Sequence, residues 1–226
     1  MAETGPEPSA SASALAAERG LGSWAQATYL PKKAVFSRRW EDARLYLFHG
    51  GVIVTGPKGF QAAYDWDSSS VLQSLRTVNG TVTDARYTLF DRSGDAVAIG
   101  RGIDSLFGRQ RERLGIKSLV NGAPFVHEGN WGPFIQQSIA SAQMPGALAR
   151  IERGETLEFG AIRVGREGVS IKDRSAAWGD IGNIHAGNGL INFPDAHRHR
   201  QALSSVPAHE VVNLDLFFGL CRHLDN

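Results

Sequence analysis

The sequence predicts an α+β fold, mainly β: two small bent antiparallel sheets or barrels in tandem, each closed by a C-terminal helix. Three observations predict it. A strand-turn-strand pattern ending in tryptophan occurs twice. The first copy is Gly51-Val52-Ile53-Val54, a turn at Gly56-Pro57-Lys58-Gly59, and residues 60–66 ending in Trp66; the second is Gly168-Val169-Ser170-Ile171, a turn at Lys172-Asp173-Arg174-Ser175, and Ala176-Ala177-Trp178. Asn79-Gly80 and Asn188-Gly189 each sit between strand formers, and both residue types accept the positive φ of a tight hairpin turn. Finally, an amphipathic helical pattern stands at the end of each β-rich stretch. The chain divides accordingly into a tail, 1–28, a first domain, 29–153, with a long basic connection at 102–130, and a second domain, 154–226.

Residues 1 to about 12 are rich in Pro, Ser, Ala and Glu, bury too little apolar surface to offset ordering entropy, and are expected to be disordered. Residues 13–27 read as a weak helix, interrupted by Gly20 and Gly22, whose Leu15, Leu21 and Trp24 pack on the first domain. Strands are expected at 44–48, 52–55 and 60–66. In the last, Phe60, Ala62, Tyr64 and Trp66 share one face, the alternation of a half-buried strand. Further strands at 71–78, 82–90 and 96–101 are separated by turns at Asn79-Gly80 and Asp91-Arg92-Ser93-Gly94. The segment 102–130 is too long for a hairpin connection. Pro133 opens a helix with Ile135, Ile139 and Ala142 on one stripe, and Met144-Pro145-Gly146 is expected to break or kink it before Leu148 and Ile151 resume the stripe.

The second domain repeats the order in fewer residues, with strands near 156–164, 169–171, 175–177, 181–185, 190–193 and 199–203. A final helix over 210–224 places Val211, Leu214, Phe217 or Phe218, and Cys221 on its buried stripe. Trp66 and Trp178, each followed by an aliphatic stretch (Val71-Leu72; Ile181 and Ile184), are expected at equivalent buried positions.

Composition bounds the function classes. With 42% hydrophobic and 21% charged residues the chain has a globular balance, which excludes disorder throughout. A formal net charge of +1 supplies no global attraction to nucleic acid or membranes, so any basic site is local. The lone Cys221, among Phe217, Phe218, Leu220 and Leu224, reads as a buried hydrophobe and fits a reducing compartment. The acidic, proline-bearing start lacks the basic and apolar regions of a secretory signal, and no apolar run approaches the ~20 residues of a membrane span. A cytoplasmic location is expected, without a transmembrane segment.

Catalytic signatures are weak. Gly100-Arg101-Gly102 lacks the third glycine of a dinucleotide loop, Gly56-Pro57-Lys58-Gly59 reads as a hairpin turn, and no Gly-x-Ser-x-Gly elbow occurs. His197 and His199 lie on one side of an expected edge strand, but two imidazoles beside Arg198 do not make a metal site. No cofactor is expected. The candidate binding residues are basic: Lys32, Lys33, Arg38 and Arg39, interleaved with Phe36 and Trp40, and Arg109, Arg111, Arg113 and Lys117 in the long connection with Phe107. Arginine forks hold oxyanions, so a joint patch would take an anionic partner. The plainer alternative is a solvated surface balanced by Glu41, Asp42, Asp104 and Glu112.

The tryptophan leading into an aliphatic strand (Trp178, Ile181, Ile184; Trp66, Val71, Leu72) and the C-terminal helix resemble the bacterial pleckstrin-homology-like (PH-like) domains. Over residues 29–224 the chain resembles an uncharacterised family from high-GC actinobacteria in which two such domains stand in tandem. The residues that carry this are 42–48, Asp65-Trp66-Asp67-Ser68 with Val71-Leu72-Gln73-Ser74, Trp131-Gly132-Pro133-Phe134-Ile135-Gln136, and 153–160. The resemblance implies two PH-like domains, of a kind that bind phosphoinositides, peptides or partner domains elsewhere. Lys58 in one first-hairpin loop, and Lys172 with Arg174 opposed by Asp173 in the other, depart from the lipid-binding pattern. The expected function is a non-enzymatic binding or scaffold protein recognising a protein or peptide. A peripheral binder of anionic lipid or phosphoinositide is the second choice, a small-molecule enzyme the third, and nucleic acid is disfavoured.

Overall fold

The computed structural model describes residues 5–32, 38–102, 106 and 108–225. Helix α1 (Ala10–Glu18) precedes strands β1 (Trp24–Tyr29), β2 (Leu45–Phe48), β3 (Gly51–Thr55) and β4 (Gln61–Asp65), which form one sheet in that order. Strands β5 (Ser70–Val78), β6 (Thr81–Phe90) and β7 (Asp95–Arg101) are joined, after helix α2 (Gly108–Arg113), by β8 (Ser118–Asn121) in a second sheet. Helix α3 (Glu128–Glu152) follows. Then come β9 (Leu157–Phe159), β10 (Ile162–Gly165), β11 (Gly168–Ile171) and β12 (Arg174–Ala177) as a third sheet. A fourth holds β13 (His185–Gly187), β14 (Leu190–Pro194) and β15 (Gln201–Pro207), before helix α4 (Leu214–Leu224). The fold is mainly β, as expected. The pairing is antiparallel except between β7 and β8, and among the described residues the sheets stay open, so the barrel alternative is not realised.

One apolar cluster gathers Leu45, Leu47, Val52, Val54, Tyr64 and Trp66 with Trp131, Ile135 and Ile139 of α3. A second gathers Ile162, Val164, Val169, Ile171 and Phe193 with Phe217 and Leu220 of α4. Helix α3 serves both, since Ala140, Ala147 and Ile151 belong to the second. That double packing accounts for one departure from expectation: Met144-Pro145-Gly146 does not break α3, which runs unbroken to Glu152. Pro145 lacks the amide that would bond the preceding turn, but burial on either side of it holds the helix together.

Other boundaries moved. The helix expected at 13–27 begins at Ala10, inside the segment expected to be disordered, capped by the Ser9 hydroxyl accepting from the Ala12 amide at 3.2 Å, and it ends at Glu18. Residues 24–27 are strand β1, because Ala27, Thr28 and Tyr29 pair with β2. The strand expected over 156–164 is the hairpin β9–β10, turned at Gly160, whose φ is +71°. Within 181–185 only His185 is in a strand, a 3-10 turn (Trp178–Asp180) coming before it and Ile181 bridging to Asp195. The last strand reaches Pro207, so α4 starts later, after a 3-10 turn (Ala208–Glu210).

The outer faces of the first and third sheets differ, and the sequence says why. Tyr46, Phe48 and Ile53 point away from the first core and are buried under α1 with Ala12, Ala16 and Leu21. Every position of Leu45–Phe48 is therefore buried, and the run is apolar throughout. In β10 and β11 the corresponding outward pair is Arg163 opposite Ser170, with Ser175 beside it on β12. Those strands alternate in burial and need no cover. None of the described helices is long and apolar enough to cross a membrane.

Candidate binding cleft

The two tryptophans do occupy matching places. Each follows the last strand of a four-stranded sheet, and the Trp66 amide donates to Gly50 O (3.0 Å) as the Trp178 amide donates to Glu167 O (3.3 Å). Their indole Nε1 groups donate to the residue before, His49 O at 3.1 Å and Arg166 O at 3.1 Å. Their burial differs: Trp66 is 5% exposed, whereas Trp178 is half-buried, which corrects the expectation that both are buried. Phe134 of α3 leans edge-on against Trp66, with ring centroids 6.3 Å apart. Trp178 instead forms a wall of an open cleft.

That cleft lies between residues 178–184 and α4. Asn213, in the left-handed region at φ +50°, launches α4. Phe217, Leu220 and Cys221 then face the second core, which leaves the next residue round, Phe218, half-buried at the rim. Ile181, Asn183, Ile184 and Trp178 line one side of a 90 Å³ cleft, and Phe218 and Arg222 the other. Across Phe218 a wider groove of 680 Å³ lies between α4 and α3, lined on the α3 side by Gln137, Ser141, Met144 and the exposed Pro145 and on the α4 side by Asp215 and Arg222. Desolvation raises the Asp215 carboxyl above its ordinary pKa, with Arg222 acting in the opposite direction. The two depressions share Phe218 and Arg222 and so form one surface along α4, with an apolar floor and a charged rim. Cys221 beneath it is not a reactive group: burial, foremost, pushes its thiol up to about 12.

The described basic residues lie on different segments. Lys32 is exposed, its amide bonded to Pro124 O at 2.7 Å. Arg39 stacks over Trp40, 4.8 Å from the ring centroid; Lys33 and the Arg38 side chain lie outside the described residues. Arg109, Arg111 and Arg113 are on α2, and Lys117 follows just before β8 with its amide on Gly94 O. Strand β8 and its extension run from Lys117 to Pro124, so at about 3.3 Å per residue some 20 Å of chain separates that group from Lys32. Arg113 reaches Glu210 at 3.5 Å, and Gln110 donates to His209 O. Part of the α2 set thus ties the connection to the segment before α4. His197 and His199 are in an exposed bend before β15, not in a strand, and among the described residues no three His, Cys, Asp or Glu side chains are grouped to hold a metal.

Sequence reasoning missed a buried polar junction. Asn213 Oδ1 accepts from the Val71 amide at 2.8 Å, the Asn213 amide donates to Val71 O at 2.9 Å, and Asn213 Nδ2 donates to Gln143 Oε1 at 3.2 Å. Gln143 Nε2 in turn donates to Trp66 O (2.9 Å) and Ser69 O (2.7 Å). Next to it Val212 forms an antiparallel bridge with Leu72 and is 8% exposed among Leu72, Phe90, Ala96 and Ile116. The available signal was the pair Val212-Asn213: an aliphatic residue and a side-chain amide just outside a helix. No curated protein and no solved structure gives a significant match to the chain. Residues 119–226, from β8 through α3 and the whole of the later sheets to α4, are similar to a family of unknown function, DUF6585.

Proposed function

We propose that this is a non-enzymatic binding or scaffold protein of the cytoplasm whose two PH-like halves, in tandem, recognise a protein or peptide partner. The observation that carries this reading is the continuous surface along α4, where Phe218 stands between an apolar cleft and a wider groove. Partly buried aromatic and aliphatic side chains beside a charged rim suit peptide anchoring, because an incoming apolar side chain is desolvated while polar groups at the edge fix its orientation. The extended run between Lys117 and the Pro124 partner of Lys32 weakens the alternative of an anionic lipid surface for that pair, since exposed charges farther apart than the Debye length of about 8 Å act singly.

The test is selection of a displayed peptide library on the immobilised full chain, with the Phe218→Asp chain as comparison. Enriched peptides that bind the first and lose at least tenfold in affinity on the second support the reading. An empty selection, or peptides indifferent to Phe218, overturns it. Co-sedimentation of the chain with phosphatidylserine vesicles at physiological salt, abolished by Arg109→Ala with Arg111→Ala, establishes the lipid reading instead.

A further inference from the structure

The walls of the 680 Å³ groove are two helical stripes of the same spacing. One is Gln137, Ala140, Ser141 and Met144 of α3, at i, i+3, i+4 and i+7. The other, at the same steps, is Asp215, Phe218, Gly219 and Arg222 of α4. Each stripe runs for two turns, about 10 Å. All the lining residues belong to these two helices, so the groove offers no strand edge. Its central residues, Ala140, Ser141 and Gly219, are small, which lets a third helix come close. A β-carbon on Gly219 would strike the Met144 methyl, and since glycine weakens a helix interior, Gly219 is explained by that contact. The two ends differ in charge, with Asp215 in the first turn of α4 and Arg222 in the last. At the Asp215 carboxylate desolvation outweighs Arg222, and a cation brought by an occupant would offset it. A helix has a polarity of its own: acidic residues are favoured in its first turn and basic ones in its last. Laid antiparallel to α4, such a helix brings its first turn to Arg222 and its last to Asp215, whereas laid parallel it sets like charge against like.

We infer that the groove between α3 and α4 takes an amphipathic helix of a partner protein, antiparallel to α4, with apolar residues at i, i+3 or i+4, and i+7, acidic residues in its first turn and a basic residue in its last. This rests on the reading of the α4 surface as a protein-recognition site and names the form of its occupant. The apolar face of that helix packs on the half-buried Met144 and Phe218, its ridge between the two stripes. The chain's own α1, the other described helix of two turns or more, is already engaged, with Ala12 and Ala16 buried against the first sheet.

The probe is a displayed library of peptides of about 18 residues, five helical turns, with a fixed alanine-rich frame and with one face and both terminal turns randomised, selected on the immobilised full chain. The most enriched sequence is then made as a capped peptide and titrated by fluorescence anisotropy. Saturable one-to-one binding is expected, with a gain of helix by circular dichroism and the charge order given above. Asp215→Lys should weaken binding at least tenfold, and replacing the peptide's last-turn base by glutamate should restore it, a rescue that a damaged fold would not give. Ser141→Arg, at an exposed position of α3, obstructs the groove, should also cost at least tenfold, and stands in should Asp215→Lys not fold. A proline at the centre of the peptide should abolish binding. Binding that survives Ser141→Arg or the central proline overturns helix docking, and failure of the charge rescue overturns the antiparallel placement. Dimerisation of the chain that Ser141→Arg abolishes makes a second copy the occupant and overturns the partner helix. An empty helical library, beside Phe218-dependent peptides from the unrestricted one, overturns this mode and leaves the protein-recognition reading standing, whereas two empty selections remove both.

Discussion

Asn213→Ala is the substitution that most directly tests how the two halves are joined. Asn213 is 6% exposed, and removing its amide leaves the buried Val71 amide without its 2.8 Å acceptor and Gln143 Oε1 without its 3.2 Å donor. An orphaned buried polar group costs ~1–3 kcal/mol, and we take the low end for Gln143, whose Nε2 keeps its bonds to Trp66 O and Ser69 O. Alanine at φ +50° adds roughly 1 kcal/mol that asparagine largely escapes. The sum is at least about 3 kcal/mol, which for a chain of this length corresponds to a fall in Tm of at least roughly 6–12 °C. Asn213→Gly should recover about 1 kcal/mol of that by relieving the backbone. Thermal unfolding followed by circular dichroism measures the shift, hydrogen exchange should speed at the Val71 amide, and a double-mutant cycle with Gln143→Ala should show a coupling of about 1 kcal/mol. A Tm change under about 2 °C for Asn213→Ala, or no coupling to Gln143, would refute the claim that this network holds the junction.

Trp66→Ala should cost ~3–5 kcal/mol and Trp178→Ala distinctly less in urea unfolding, since only the former is fully enclosed; equal losses would contradict the difference in burial. Ala12→Asp sets a carboxylate against Tyr46, Phe48 and Ile53 and should detach α1, read as faster amide exchange over residues 10–18 with β5–β7 unchanged. The Cys221 thiol should resist a disulfide reagent at pH 8 until the protein unfolds. Its folded pKa of about 12 exceeds its unfolded value, so the folded state holds the proton longer. The thiol's contribution to stability is therefore full below pH 9 or so and declines as pH rises from about 9 toward 12, and Cys221→Ala should flatten that part of the stability profile.

What the sequence disclosed, and what it concealed, follows from the range of the interactions involved. Strands β2 to β7 were legible because their alternation and turns are local: Asn79, at φ +49°, takes the backbone its dipeptide announces. β1 was not, because Trp24–Tyr29 becomes a strand only by pairing with β2 some twenty residues on, through an irregular register at Gln26, whose φ of +56° no residue preference signals. β8 is a four-residue strand made by a parallel pairing with β7 inside a charged connection, and its pattern is too short to show a period. The two strand-turn-strand segments match on their inward faces, where Leu45, Leu47, Val52 and Val54 answer to Ile162, Val164, Val169 and Ile171. On the outward face, Tyr46 and Ile53 answer to Arg163 and Ser170, so the two segments are alike in what they bury and differ in what their outer faces touch. The candidate cleft belongs to that second kind of information. Phe218 and Phe217 are equally apolar neighbours on one helix, and only the docking of α4 beside residues 181–184 decides which is buried and which stands at the rim. The basic residues, by contrast, were conspicuous one by one, and β8 sets Lys117 at one end of an extended segment and the Pro124 partner of Lys32 at the other. In this chain the local pattern specifies the framework, and the cleft beside α4 arises where segments distant in sequence meet.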